Sequence, residues 1–595
     1  MHPDHIKLLK KAQALDRAQK PQEAAVAYRA FLAREPRHAD AWSSLAGKML
    51  NLGDHHEAQR AARAALLSEP SHLPAQINLG RALMQCNQTE EAEGHFRSAL
   101  KVDAHRMDAH LFLAECLLQK RDLRGASRAL EATVPLAAMP GRPPALLAHH
   151  AELWAILSMG LLEEQNTTAA EAACATALRY NSRNLSAHSS LASIRMAQER
   201  AEEAEGMLRK LVEEHAHNMR LRLQLIDCLA RRGNFRLADQ EAAKAIQEAP
   251  TNLTVHRGVK GTHYAHGRWP EFAAEIARFR ALDPASPHPD YEQSFVDLLF
   301  GDFRQGWERH EARFRIPKDL RPAYRSFSQP TWTGEPFRGK TLLLWAEQGF
   351  GDTLMFLRYL PMVKALGGQV IVEAQSALTE VAATCEGADV VIPQNTGLQA
   401  FDLQVSLQSL PWIFRTELAT IPAEIPYLQV PAEVPHRQEL LATLSLAGEN
   451  VRIGLVWAGS PLHSRDAERS LSAASLAPLG DLQGVSWYSL QLRREEVPPL
   501  PGLTSMAPFL ANFSDTAYAL SGLDLLITVD TAVAHLAGAL GVPTLLLLTY
   551  QPDYRWMLER EDSPWYPSLR LYRQPSYGDW DSVTREVLAD LSSSS

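Results

Sequence analysis

The sequence predicts an α-helical repeat solenoid in its first half, followed by an α/β region built from two halves. A 34-residue periodicity of small residues predicts the solenoid, because helices that pack closely in pairs need small side chains at fixed positions. From residue 340 onwards, short apolar runs alternate with helical stretches, which is typical of a parallel sheet covered by helices. The length of 595 residues also requires several domains, since a single hydrophobic core stops growing well before that size.

Alanine marks the repeat in the first half. It recurs every 34 residues on both predicted helices of a repeat, at Ala41, Ala75 and Ala109 on one helix and at Ala24, Ala58, Ala92 and Ala126 on the other. Pro36 and Pro70 end successive repeats, because proline cannot continue a helix. A helix–turn–helix of this length and pattern resembles the tetratricopeptide repeat. Such solenoids usually bind a protein on their concave surface; the alternative is that the helices only brace the second half.

The repeat changes phase once. From Ala126 to Ala170 the spacing is 44 residues, which is ten more than one repeat. The surplus coincides with a proline-rich segment, so we predict an inserted loop over 135–147. This loop separates a first repeat block, 1–134, from a second block with its connecting helices, 148–320. A domain boundary at the same place is the alternative.

Eight apolar runs are the predicted strands of the α/β region. In its N-terminal half, 321–430, they are TLLLWAE, QVIVEA, DVVIP and FDLQVSL; in its C-terminal half, 431–595, they are VRIGLVWAG, VSWYSLQL, LDLLITVD and PTLLLLTY. Ligands of parallel sheets bind beyond the carboxyl ends of the strands. The loops that follow these runs are therefore where we expect a site.

Three familiar motifs are present without the structural context that they need. Residues 334–341, GEPFRGKT, match the phosphate-loop pattern, yet a strand rather than a helix is expected to follow them. Gly349 and Gly351 lack the third glycine of a dinucleotide site. Asp579 and Asp581 form a DxD sequence near the chain end and not at the end of a strand, so we predict a solvated turn there and no metal site.

The candidate site begins in two of the strand-end loops. After TLLLWA, Gly349 and Gly351 permit close backbone approach, and Asp352 begins a helix, where its alternative role is that of a helix cap. The loop after VRIGLVWAG is polar, and its candidate residues are Gly459, His463, Arg469 and Ser470.

The strand LDLLITV leads into a candidate phosphate site. Asp530 and Thr531 follow it at the start of a helix, with His535 one turn further on. Free amides at a helix start, together with a threonine hydroxyl, can bind a phosphate without a metal. Arg469 is expected to add bidentate contacts to the same phosphate. We expect His535 to face this site; a position in the core is the alternative.

These segments resemble two stretches of the bacterial heptosyltransferases. DLLITVDTAVAHLAGALGVP is similar to their D-[ST]-x-x-x-H-L-A-x-A-L-G-x-P segment, and EQGFGDTLMFLRYLP resembles their N-terminal GD…P segment. The resemblance implies a metal-independent, inverting glycosyltransferase of the GT-B fold, with two Rossmann-like halves and no cofactor. It also implies that Asp352 is the catalytic base on the acceptor side. Ala532 replaces their usual glycine and their phosphate-loop lysine is absent, so we assign that lysine's role to Arg469.

The order of the two regions is similar to that of the eukaryotic O-linked N-acetylglucosamine transferase and of bacterial repeat glycosyltransferases that modify flagellin. WYSLQ, FSDTA, REDSPWYP and RLYRQ resemble the bacterial group, and the first of them adds Gln491 to the donor-binding residues. The resemblance implies transfer of pseudaminic acid from CMP to Ser or Thr of flagellin recruited by the repeats. UDP-N-acetylglucosamine is the alternative donor. A lipopolysaccharide acceptor and an inactive repeat scaffold are the alternative functions.

Composition excludes several classes of protein. A net charge of −9 argues against a nucleic-acid binder, which needs a basic surface. The N-terminus has no apolar signal segment, and no run reaches the roughly 18 uninterrupted apolar residues of a membrane span. The five cysteines are scattered and never spaced CxxC, which favours buried thiols over disulfides or zinc ligands. We therefore expect a cytoplasmic protein.

Overall fold

The chain forms two compact units, Met1–Arg232 (unit 1) and Gly233–Ser595 (unit 2). Within these bounds the computed structural model describes residues 2–164, 166–198, 200–317, 325, 327–347, 349–460, 466–492 and 497–593. The described residues of unit 1 are helical, and unit 2 combines helices with two parallel sheets.

Unit 1 is a row of antiparallel helix pairs. Its described helices are α1 (Pro3–Arg17), α2 (Pro21–Leu32), α3 (Ala39–Asn51), α4 (His55–Ser68), α5 (Leu73–Gln85), α6 (Thr89–Val102), α7 (Met107–Gln119), α8 (Leu123–Glu131), α9 (Val134–Ala137), α10 (Pro144–Glu163), α11 (Thr167–Tyr180), α12 (Leu185–Ala197), α13 (Ala201–Glu214) and α14 (Met219–Arg231). His38 and His72 cap equivalent helices one repeat apart, since each ring accepts the amide hydrogen of the residue three positions on.

The small residues of the repeat are required by close helix packing. A Cβ atom at Gly80 of α5 would lie 2.6 Å from the ring of Phe96 on α6. Ala58 and Ala92, at the equivalent position of successive repeats, are fully buried. The 34-residue periodicity of small residues therefore arises from the close contact between paired helices. The predicted solenoid is confirmed in this part of the chain.

Most of the ten surplus residues belong to helices, and fewer form a loop. The predicted loop over 135–147 contains the end of α9 and the start of α10, and only 138–143 lies outside both helices. Pro144 occupies the first position of α10, where a missing amide hydrogen costs nothing. The resulting helix has 20 residues, whereas its neighbour α11 has 14.

Helix α10 is also the one described helix that is long and apolar enough to cross a membrane by length and composition. It packs inside the solenoid: His150 on it is fully buried, accepts the Trp154 indole hydrogen at 2.8 Å and contacts the Thr133 hydroxyl at 2.8 Å. Glu152 on the same helix accepts hydrogen bonds from Asn184 and Ser186. These contacts are those of a core helix in a helical repeat protein.

All five cysteines are free. Burial raises the pKa of Cys116, Cys174 and Cys228 to about 11, so these thiols stay protonated at neutral pH. Cys385 is buried as well, and the predicted buried thiols are confirmed for these four. Cys86 differs, because it is only half-buried.

Unit 2 begins with five helices that belong to the same compact body as the sheets. They are α15 (Phe235–Glu248), α16 (Leu253–Ala265), α17 (Trp269–Leu282), α18 (His288–Leu299) and α19 (Phe303–His310), followed by a 3-10 turn, Glu311–Arg315. Trp307 of α19 is fully buried against Tyr554, Trp565 and Phe356, with ring centroids 5.8, 6.4 and 6.0 Å away. The boundary between the units at 232/233 thus lies inside the predicted second repeat block, 148–320.

Two parallel sheets form the rest of unit 2. The first has the strand order β3-β2-β1-β4 and the second β10-β9-β8-β5-β6-β7. The strands are β1 (Thr341–Trp345), β2 (Gln369–Ala374), β3 (Val390–Pro393), β4 (Leu403–Ser406), β5 (Val451–Val456), β6 (Val485–Ser489), β7 (Thr504–Ser505), β8 (Leu525–Val529), β9 (Thr544–Leu548) and β10 (Leu569–Arg573). All eight predicted strands are present, and the predicted α/β character of the region is confirmed.

Helices connect and cover these strands. In the described residues they are α20 (Phe350–Phe356), α21 (Leu360–Ala365), α22 (Thr379–Ala382), α23 (Leu410–Ile413), α24 (Arg437–Leu444), α25 (Asp466–Arg469), α26 (Phe513–Ser521), α27 (Ala532–Leu540) and α28 (Trp580–Ser593). Thr341 begins β1, so residues 334–341 precede a strand and not a helix, as predicted. Asp579 accepts the Ser582 amide hydrogen at 3.0 Å and caps α28.

A buried arginine holds the two sheets together. Arg358, next to α20 on the side of the first sheet, donates to the carbonyl oxygen of Trp565 at 2.6 Å and to the Tyr427 hydroxyl at 3.1 Å. Its guanidinium also lies 4.5 Å from the ring centroid of Tyr566. A planar cation that is both hydrogen-bonded and stacked resists displacement. The contact therefore fixes how the strand-end loops of one sheet meet those of the other.

Candidate functional site

The loop after β1 presents Asp352 in the first turn of α20. Gly349 is the N-cap residue of this helix, and its amide donates to Asp352 Oδ2 at 3.2 Å. The carboxylate thus caps its own helix, as the alternative interpretation of this residue predicts. The other carboxylate oxygen, Oδ1, takes no part in this cap and contacts a residue of the second half.

Gly351 allows α20 to touch α27 of the second sheet. A Cβ atom at Gly351 would lie 2.7 Å from Cδ2 of His535. His535 is buried, its Nδ1 lies 2.9 Å from the Tyr566 hydroxyl, and its ring stacks on Trp556 at 5.3 Å. Burial, together with the nearby charges of Arg555 and Arg358, lowers the pKa of His535 well below its usual value. This packing agrees with the alternative of a core position for His535, and its donor contact stays a prediction.

Asp352 pairs with a residue of the second sheet's half. Its Oδ1 accepts a hydrogen bond from Arg555, which lies in the 3-10 turn Tyr554–Trp556 after β9. Arg555 also donates to Asp553 at 2.7 Å and stacks on Tyr554, with its Cζ 4.5 Å from the ring centroid. The ion pair is well shielded, since the side chains of Arg555 and Asp352 are only 11% and 18% exposed.

Burial makes two acidic residues of the site, Asp352 and Asp530, more basic than usual. It raises the pKa of Asp352, an effect that Arg555 opposes and Asp553 reinforces. It also raises the pKa of Asp530, where Asp553 adds to the effect and Arg469 opposes it. A carboxylate whose pKa is moved toward neutrality is a better proton acceptor than an exposed one.

Arg469 joins the loops after β5 and β8. Its Nη1 donates to the carbonyl oxygen of Asp530 at 3.1 Å, and its Nε donates to Asp466 at 3.3 Å. Gly459 lies close against this arginine, since a Cβ atom there would lie 2.4 Å from Arg469 Nη2. The Gly459 amide donates to Ser470 Oγ at 3.1 Å and closes the loop. The predicted residues Gly459, Arg469 and Ser470 are thus neighbours, while His463 lies outside the described residues.

Thr531 stands at the start of α27 as its N-cap residue. Its side chain makes no capping hydrogen bond to the helix, and its Oγ1 lies 3.5 Å from the Thr528 hydroxyl. The positive end of a helix and a hydroxyl donor occur together here, and the phosphate site stays a prediction.

Gln491 braces the sheet from within. It is buried, and its Oε1 accepts the amide hydrogens of Trp457 at 3.1 Å and Ala458 at 2.9 Å. These bonds tie the end of β6 to the end of β5. Its amide nitrogen donates to the Leu492 carbonyl oxygen at 3.2 Å, so the backbone engages both ends of the side-chain amide, and the predicted donor contact of Gln491 stays a prediction.

The residues that sequence reasoning missed lie after β9. Asp553, Arg555 and Trp556 follow the apolar run PTLLLLTY, whose carboxyl end lies beside that of β8. The predicted site residues lie after β1, β5 and β8, and because ligands of parallel sheets bind beyond strand ends, QPDYRW after β9 is an equivalent position. Among the described residues, no group of three or more His, Cys, Asp or Glu side chains is arranged to hold a metal ion.

Comparison with known proteins identifies the repeats. The tetratricopeptide-repeat family matches residues 9–47, 77–142 and 190–252. The N-terminal part of the chain is a tetratricopeptide-repeat solenoid. The chain is also 28% identical over 359 residues to Protein FlbA of Caulobacter vibrioides. That alignment covers 54% of this chain and 59% of FlbA, so the chain spans less than two thirds of this relative.

Two solved structures resemble the chain in part. A tetratricopeptide repeat protein of Parabacteroides merdae is 14% identical, with a TM-score of 0.33, over 44% of this chain and 99% of its own. PilF of Pseudomonas aeruginosa is 18% identical, with a TM-score of 0.32, over 38% of this chain and 97% of its own.

Proposed function

We propose that the protein is a metal-independent, inverting protein O-glycosyltransferase of the GT-B type, whose N-terminal repeats recruit a protein acceptor. The observation that carries this proposal is the position of Asp352. It lies at the carboxyl end of the first sheet and contacts the loop after β9 of the second sheet through Arg555. The start of α27 and Arg469 lie in the half that contains the second sheet, so in this proposal the base comes from one half and the phosphate site from the other.

The chemistry follows from this placement. A serine or threonine hydroxyl is a poor nucleophile at neutral pH, and Asp352 would take its proton as the oxygen attacks the anomeric carbon of the donor. The bond between that carbon and the donor phosphate breaks, and the electron pair leaves with the nucleotide. The amides at the start of α27, Thr531 and Arg469 would stabilise the charge of the departing phosphate. The new bond between the acceptor oxygen and the anomeric carbon forms on the face opposite the leaving group, which inverts the anomeric centre.

The resemblance noted in the sequence guides the choice of donor and acceptor. It favours CMP-pseudaminic acid as the donor and flagellin as the acceptor, both in the cytoplasm, with UDP-N-acetylglucosamine as the second donor to test. Intact-mass measurement of flagellin from a deletion strain tests the acceptor directly. The proposal expects loss of a glycan mass that returns with the wild-type gene and not with a catalytically inactive variant; an unchanged mass refutes flagellin as the acceptor.

A second candidate is a repeat scaffold whose α/β region no longer catalyses transfer. The pairing of Asp352 with Arg555 favours this candidate, because a carboxylate held by a guanidinium is a weaker base than a free one. Donor hydrolysis by the purified protein separates the two candidates. Hydrolysis of a nucleotide sugar that EDTA does not diminish supports the enzyme. The absence of both hydrolysis and nucleotide binding supports the scaffold.

A further inference from the structure

Arg555 is the residue that both halves of the candidate site share. It donates to Asp352 from the first half and to Asp553 within its own loop, while its Nε is directed at the sulfur of Met355 at 3.1 Å. A thioether is a weak acceptor, so Nε has little to lose by exchanging Met355 for a phosphate oxygen, while Nη2 of the same guanidinium holds a charged partner in Asp352.

The start of α27 lies within electrostatic reach of this guanidinium. Arg555 opposes the rise in the pKa of Asp530, the residue that precedes Thr531. The packing agrees, since Trp556, the chain neighbour of Arg555, stacks on His535 one turn into the same helix, with ring centroids 5.3 Å apart. A ligand at the start of α27 would therefore approach Arg555 as well as Arg469.

The charges around Arg555 oppose an anion as the site stands. Asp352 and Asp553 pair with Arg555, and Asp466 pairs with Arg469. With Asp530, four acidic side chains stand against two guanidinium groups. A phosphate bound beside them adds further negative charge in a shielded place, where such repulsion is strong. Rotation of the Arg555 fork from a carboxylate to the phosphate would relieve that repulsion and use the bidentate geometry that arginine offers.

We propose that Arg555 is a positioning residue that exchanges Asp352 for the phosphate of a bound nucleotide, and so frees the base only when the donor is present. This inference rests on the proposed function. It predicts that Asp352 and a nucleotide compete for one guanidinium. Without donor, the ion pair holds Asp352 in place and weakens it as a base; with donor, the carboxylate loses its partner and becomes available to the acceptor hydroxyl.

A double-mutant cycle on the full-length protein tests the exchange. The probes are CMP and UDP, with cytidine and uridine as phosphate-free controls, titrated calorimetrically in EDTA. Arg555→Ala should weaken binding of the nucleotide about 10- to 100-fold, the range for a charged hydrogen bond, and leave nucleoside binding unchanged. Asp352→Asn should strengthen nucleotide binding several-fold, because it releases Arg555, and the gain should vanish in Asp352→Asn/Arg555→Ala.

Two further variants keep the test decisive. Arg560→Ala is the matched control, since Arg560 lies on the same stretch of chain and pairs with Asp562; it should bind nucleotides like the wild type. Arg555→Lys retains the positive charge without the planar guanidinium and should lose part of the nucleotide affinity. This variant replaces Arg555→Ala if the alanine variant does not fold.

The outcomes separate this inference from the proposed function. Nucleotide binding that is equal in the wild type, Arg555→Ala and Arg555→Lys overturns the role of Arg555 and leaves the glycosyltransferase proposal standing. A gain in Asp352→Asn that persists in the double variant also overturns it, because simple removal of negative charge then explains the gain. A wild-type protein that binds none of the probes overturns the proposed function, and this inference with it.

Discussion

Gly351 and His535 touch across the two halves of the α/β region, with an imaginary Cβ at Gly351 only 2.7 Å from the histidine ring. The ring cannot move aside freely, because it contacts the Tyr566 hydroxyl and stacks on Trp556. Glycine at position 351 therefore serves the approach of α20 to α27, and through it the position of Asp352.

Gly351→Ala should destabilise the protein by about 1–3 kcal/mol, the usual cost of forcing an extra methyl group into a packed contact. Chemical denaturation followed by circular dichroism measures the effect. Gly349→Ser is the matched control, because a Cβ there would lie at an ordinary 3.5 Å from Asp352 Oδ2 and serine suits an N-cap. Equal stability of the alanine variant and the wild type would show that the contact is loose.

The donor residues can be tested by their effect on KM. Arg469→Ala and Thr531→Ala should each raise the donor KM about tenfold or more, because each removes a proposed hydrogen bond to a charged phosphate. Steady-state kinetics at saturating acceptor measure the change. Arg452→Ala is the control, since Arg452 lies at the opposite end of β5 and pairs with Asp524. Donor KM values that stay at the wild-type level in both site variants would remove these residues from the phosphate site.

The sequence predicted those parts of the fold that repeat or that are buried on both sides. Strands such as β1, β8 and β9 read as continuous apolar runs because helices cover both faces of a parallel sheet. Strand β10 escaped prediction because its residues alternate, with Arg570 exposed between buried Leu569 and Leu571. The proline-rich segment predicted a loop, yet Pro144 begins α10, since proline is tolerated in the first turn of a helix.

The site could be predicted as a set of loops but not as a set of contacts. The rule that ligands bind beyond strand ends found Asp352, Arg469 and Thr531. It could not pair Asp352 with Arg555, because the two lie 203 residues apart and only the packing of the two sheets joins them. His535 shows the same limit: the sequence shows its place in the helix, and only tertiary packing shows that its ring is enclosed.

Removal of unit 1 should separate acceptor recruitment from donor binding. A protein consisting of residues 233–595 should bind nucleotide like the full chain and lose modification of its protein acceptor. A protein that begins at residue 251 should unfold at a lower temperature, because it also lacks α15. In the full chain, Asp239 of α15 pairs with Arg268, and Phe235 contacts His266 with ring centroids 5.5 Å apart. Thermal unfolding and acceptor mass measure both effects. Undiminished acceptor modification by 233–595 would show that the repeats do not recruit the acceptor.

The stability of unit 1 should fall in mild acid because of His150. Burial, with a smaller effect of Arg179, lowers the pKa of His150 to about 4. Between its ordinary value and that pKa the unfolded chain binds a proton that the folded chain does not. The free energy of unfolding is therefore undiminished by this histidine above roughly pH 6.5. It falls progressively, by about 3 kcal/mol in all, as the pH falls toward 4.

Variants at two adjacent histidines check this assignment. His150→Gln keeps an acceptor for the Trp154 indole and cannot titrate, so its unfolding free energy should depend less on pH between 4 and 6.5 than that of the wild type. His149→Gln, at the partly exposed neighbouring position, should retain the wild-type dependence. Parallel pH profiles for all three proteins would exclude His150 as the cause.

Asp352→Asn tests the central claim most directly. The variant keeps the helix cap and the shape of the side chain but removes the basic carboxylate, so kcat for sugar transfer should fall about 100-fold or more. In the wild type, activity should decline as the pH falls through the pKa of Asp352, which burial raises against the opposing charge of Arg555. That acidic limb should be absent from the residual activity of the variant. Near-normal transfer by Asp352→Asn, with the acidic limb intact, would contradict the account and leave Asp352 as a helix cap.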